Sequence, residues 1–73
     1  MTSFRVEVTG TWEDQRLRTA QAQTHVFVVA APGPLAAQVA AAQIFGGEAA
    51  RRRFRALPDR SARVILDAEP ERV

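Results

Sequence analysis

Cysteine is absent from this 73-residue chain, which excludes disulfides and thiolate metal sites and leaves a small domain without covalent staples. A domain of this length buries only about 60% of the surface its unfolded chain exposes, so self-association is the remaining common route to further burial. Lysine is absent as well, all ten basic residues other than the histidine being arginine. With no lysine there is no phosphate-binding P-loop, and Gly46 and Gly47 run into Glu48 instead. A single histidine, His25, has no second histidine or cysteine to share a metal and no evident nucleophile to serve. No catalytic, metal-binding or cofactor-binding residue is therefore assigned, and no cofactor is expected. Met1 to Val8 alternates polar and apolar residues without a continuous hydrophobic run. That pattern is neither a signal peptide nor a membrane span, so a cytoplasmic location is expected by elimination.

What is present is ordinary for a folded domain, with 47% hydrophobic and 25% charged residues. The net charge of +2 conceals an uneven distribution. Up to Gly47 three arginines balance three acids, whereas residues 48–66 hold six arginines against Glu48 and Asp59. Residues 67–73 are acidic, with Asp67, Glu69 and Glu71 against Arg72. A basic segment followed by an acidic tail can neutralise itself, which weakens any inference from the high isoelectric point to a polyanionic partner. The preference for arginine over lysine, together with abundant alanine, also fits G+C-rich coding of the kind found in phage genes.

Hydrophobic periodicity predicts the elements. Phe4, Val6 and Val8 alternate with Arg5, Glu7 and Thr9, so a strand is expected from Ser3 to about Trp12. Glu13 to Thr19 is polar and reads as the loop of a hairpin, with Glu13 and Asp14 as its solubilising acids. A second strand is expected over Thr24–Ala30, where Phe27, Val28 and Val29 are apolar in succession, as in strands buried on both faces. Pro34 suits the first position of a helix, expected over 34–45 and closed by Gly46 and Gly47. Its apolar stripes are Leu35, Val39 and Ala42, and Ala36, Ala40 and Ile44, with Leu35 and Phe27 placed in the core. A short helix is expected over 48–56 because Ala50, Phe54 and Leu57 follow a helical spacing, and a last strand over Ala62–Asp67. The sum is an α+β, ββααβ two-layer sandwich: a three-stranded sheet with helices 34–45 and 48–56 on one face. It forms one domain over 1–67, followed by an acidic tail at 68–73.

The candidate site rests on two features. Arg51, Arg52, Arg53 and Arg55 would share one helical surface, and guanidinium forks match phosphate oxygens in pairs. Against that, Glu48 lies three and four residues before Arg51 and Arg52, and Asp59 four after Arg55, the spacing of intrahelical ion pairs. Trp12 stands at a strand end, where an aromatic either caps the core or anchors a partner. The reading that follows is a small non-enzymatic interaction or regulatory protein that binds a protein partner. It is expected as a homodimer, because the doubly apolar strand and weakly polar helix have more apolar surface than one small domain can cover. The alternative is a nucleic-acid-binding module that contacts phosphates through Arg51 to Arg55.

Overall fold

A computed structural model describes residues 1–65. It is an α+β fold with a four-stranded antiparallel sheet and one helix. The order is β1 (Thr2–Asp14), β2 (Ala20–Ala31), α1 (Pro34–Arg51), β3 (Phe54–Ala56) and β4 (Ser61–Val64). β1 lies in the middle, with β2 along one edge and both β3 and β4 along the other.

The β1–β2 hairpin forms where alternation predicts it, but both strands are longer than expected. Their register is unbroken from Thr2↔Ala31 to Glu13↔Ala20. Asp14 stops it: its Oδ1 accepts from the Arg16 and Leu17 amides at 2.8 Å each, and its carbonyl accepts from Arg18 N at 2.9 Å. This side-chain-to-backbone turn supplies what a tight glycine turn would. Arg18 leaves the loop with φ 61°, in the left-handed region.

Val6, Val8, Gly10 and Trp12 point from β1 toward the helix, while Arg5, Glu7, Thr9, Thr11 and Glu13 point to the opposite face. The helix meets this surface through Ala37, Ala41, Phe45 and Ala49. Those residues recur every four positions and stay on one side of the cylinder. Leu35, expected in the core, is instead 73% exposed. The expected stripes were out of phase because the sheet carries the bulk here, and the helix must present alanines to approach it. Phe45 alone projects deeply, and the bare Gly10 makes room for it: a Cβ there would lie 3.0 Å from Phe45 Cε2.

Two further expectations are corrected. No second helix occupies 48–56; α1 continues through Gly46 and Gly47 to Arg51, and Phe54–Ala56 is a strand. The glycines do not end the helix because neither takes a positive φ. The left-handed residue that does end it is Arg53, at φ 64°, with its N–H bonded to the Ala50 carbonyl at 3.1 Å. Phe54 and Ala56 then face inward and Arg55 outward, so Phe54, which fits a helical spacing with Ala50 and Leu57, also fits a period of two with Ala56.

The expected last strand, 62–67, is seen as Ser61–Val64, and β3 and β4 together make a broken edge. At the break Gly10 and Thr11 face the four residues Leu57 to Arg60. Leu57 N bonds to the Thr11 carbonyl at 2.9 Å. Asp59, expected to pair with Arg55, instead accepts from Thr11 N at 3.3 Å and Thr11 Oγ1 at 2.7 Å. Its carboxylate replaces the missing rung of the ladder. The end of the expected strand at Leu66 and Asp67, and the acidic tail at 68–73, lie outside the described residues.

Candidate interaction surface

The fold separates the arginines that the sequence groups together. Arg51 ends α1 and Arg52 caps it, and both lie near Glu48, at 3.4 and 3.7 Å. That pairing matches the spacing in the sequence. Arg52 also lies over the Trp12 ring, 5.9 Å from its centroid. Arg53 sits in the left-handed turn, and its carbonyl accepts from Gln15 N at 3.3 Å. Arg55 belongs to β3 and projects from the face of the sheet opposite the helix, where it donates to Glu13 at 2.5 Å. The four arginines therefore do not share one helical surface.

Arg60 and Arg63 complete the set. Arg63 donates to Glu7 at 2.8 Å, across the β4–β1 pair to which both belong. Arg60 turns the other way, over Gly46, and donates to the Ala42 carbonyl at 3.1 Å. Among the described residues the basic segment is thus largely matched within the molecule, although exposed pairs of this kind contribute only about 0–1 kcal/mol each.

Glu13 serves two arginines from different elements. Arg55 and Arg18 both bond to it, the latter at 3.3 Å, and the Arg55 hydrogen bond is the main reason its carboxyl is held below the ordinary 4.5. With Gln15, these residues line an open recess of about 290 Å³ at the hairpin end. Asp14 is also held below its ordinary 3.8, chiefly by the Leu17 amide and then by that of Arg16. Both acids thus organise the hairpin end rather than merely solubilise it.

Trp12 is 2% exposed. It stacks on His25, with centroids 5.1 Å apart and planes at 17°, and packs against Phe45 and Phe54. His25 stacks in turn near Phe27, and its Nε2 hydrogen-bonds to Gln23 Oε1 at 3.1 Å. Of the two roles open to Trp12 in the sequence, the one it fills here is in the core.

Apart from Met1, and from Leu17 in the hairpin loop, the exposed large apolar side chains of the described residues lie on α1 and on the outer face of the sheet. On α1, Leu35 and Val39 lie on the side turned from the sheet, where Ala36, Gln43, Gly47 and Ala50 are also exposed. On the outer face of the sheet, Val26 and Val28 are 50% and 68% exposed. Phe27 and Val29, the other half of the doubly apolar strand, face the helix. Beside the valines run the polar β1 row and then the arginines of β3 and β4. The outer face is therefore graded across the strands, apolar at β2, mixed in the middle and basic at the far edge. The sequence signal for Val26 and Val28 was present in the break from alternation; their exposure followed only from the count of covering elements. Among the described residues no helix is long and apolar enough to cross a membrane. In comparisons with known protein families, curated proteins and solved structures, the chain has no significant match.

Proposed function

We propose that this chain is a small non-enzymatic interaction protein that acts by binding a protein partner. The observation that carries this reading is the distribution of side chains between surface and interior. Leu35, Val39, Val26 and Val28 stand in solvent on opposite sides of the domain, while most of the basic segment is engaged with Glu48, Glu13, Glu7 and the Ala42 carbonyl. Apolar side chains grouped on a surface favour protein association.

Phosphate binding is the second reading, supported by Arg51, Arg52 and Arg53 at the end of α1. The two pairs to Glu48 are long and exposed, so phosphate could compete for those guanidiniums. An equilibrium titration of a generic duplex near physiological salt separates the two. The protein-partner reading expects no submicromolar binding. Such binding by the wild type, lost in a combined Arg51→Gln, Arg52→Gln and Arg53→Asn variant, would transfer the assignment to nucleic acid. Affinity capture supplies the positive arm: a bound protein that survives nuclease and is lost with Leu35→Gln and Val39→Gln, or with Val26→Gln and Val28→Gln, supports the proposal.

A further inference from the structure

β2 forms one edge of the sheet, and among the described residues nothing pairs with its outer side. The direction of its free backbone groups follows from the bonds at the ends of β1. Asp14 N donates to the Thr19 carbonyl at 2.8 Å, whereas on the opposite side of β1 the Thr11 and Arg5 carbonyls accept from Leu57 and Ile65. In an antiparallel ladder successive residues alternate in the edge they address. Even-numbered residues of β1 therefore bond to odd-numbered residues of β2, and the N–H and C=O groups of Ala20, Ala22, Thr24, Val26, Val28 and Ala30 point to the open edge. The same six side chains lie on the outer face of the sheet.

This edge has none of the features that keep edges apart. Natural monomers blunt an edge strand with charge, proline, a bulge or short length. β2 runs for 12 residues without an acidic residue, an arginine or a proline, in continuous register with β1. It is also its own complement. Antiparallel pairing about Val26 sets Val26 against Val26, Thr24 against the near-isosteric Val28, and Ala22 against Ala30. The outward pairs match in size, and from Ala22 to Ala30 each free N–H meets a free C=O, while on the inner face the same register sets His25 against Phe27 and Gln23 against Val29. The absence of charge removes repulsion between identical strands and gives a charged partner nothing to select.

We infer that β2 pairs with β2 of a second copy, antiparallel about a two-fold axis at Val26, so that the two sheets become one. Such an interface is isologous, each strand supplying the same surface. On the outer face it joins the valines of both copies into one apolar band with the arginine rows at its far sides. The inference does not rest on the protein-partner reading; a monomeric wild type would overturn it and leave that reading standing.

Light scattering at high micromolar concentration tests it. The wild type is expected at twice the 8.0 kDa chain mass, and Val26→Glu at the single mass, because two carboxylates then face each other at the axis. Val26→Lys is expected to behave likewise, and mixing the two variants should restore the doubled mass. Amide exchange in the wild type provides a readout that needs no variant. The Ala22, Thr24, Val26, Val28 and Ala30 amides should gain protection as concentration rises, while those of Gln23, His25 and Phe27 remain protected throughout. A monomeric wild type overturns the inference. So does a dimer in which these edge amides stay unprotected, or one that Val26→Glu leaves intact.

Discussion

The Arg60 guanidinium occupies the space that a side chain at Gly46 would need. A Cβ at that position would lie 2.6 Å from Arg60 Nη1, which donates to the Ala42 carbonyl one turn earlier. Gly47, its neighbour, has open space around the corresponding point. Gly47→Ala should therefore stabilise the protein by about 0.8–1 kcal/mol, the helix-propensity difference between the two residues. Gly46→Ala should yield much less, because it displaces the guanidinium. In an Arg60→Ala background the two substitutions should become equivalent. Chemical denaturation of the three single and two double variants checks this, and equal effects in the wild-type background would contradict the packing.

The phase of α1 gives a second expectation. Leu35→Ala removes an exposed side chain and should change stability by no more than about 0.5 kcal/mol. Ala41 is fully buried in the core that also holds Val6 and Val8, so Ala41→Leu forces extra volume into it and should cost about 1–3 kcal/mol. Thermal melts of the two variants distinguish this helix orientation from one with Leu35 inward, which predicts the opposite ranking.

These positions also show what the sequence could convey. The hairpin, the start of α1 at Pro34 and the α+β class were legible because each depends on local alternation or proline geometry. The continuation through Gly46 and Gly47 was not, since the contact that favours a bare position at Gly46 comes from Arg60, far along the chain. Phe54 and Ala56 were ambiguous for another reason: three residues are too few to tell a helical period from a strand. The dispersal of the arginines follows from that ambiguity, because Arg55 changes face when its segment becomes β3. Glu48 with Arg51 and Arg52 was readable because all three lie within one helical turn or its edge.

Arg53 provides a third test. Its φ of 64° is unfavourable for a residue with a side chain, and its own side chain has no intramolecular partner among the described residues. Arg53→Gly should stabilise the protein by about 0.5–1 kcal/mol after allowance for the greater freedom of glycine in the unfolded chain. A clear loss of stability in urea would show that the guanidinium makes a contact that matters.

Acid should weaken the hairpin end. Glu13 and Asp14 both have folded values below their ordinary 4.5 and 3.8, so in that range the unfolded chain binds more protons than the native one. Their contribution is complete above the ordinary values and declines as pH falls through the folded ones. Unfolding free energy measured from neutral pH downward should fall in that acid range, and Glu13→Gln should make the decline shallower. An identical slope in the variant would mean that Arg55 and Arg18 do not favour the ionised form.

β1 takes hydrogen bonds on both sides, but its two neighbours arrive at different times during synthesis. β2 follows after a short loop, whereas Arg55 and Arg63 reach Glu13 and Glu7 from 42 and 56 residues away. A nascent chain that has made α1 but not β4 therefore carries a hairpin whose central strand is still open. Closure waits for the most distant contacts, which are the slow ones in folding. Truncation before Ser61 accordingly does more than remove one short strand: it leaves the Val6–Thr9 stretch of β1 open along a second edge of the sheet, and unpaired edges of this kind favour aggregation.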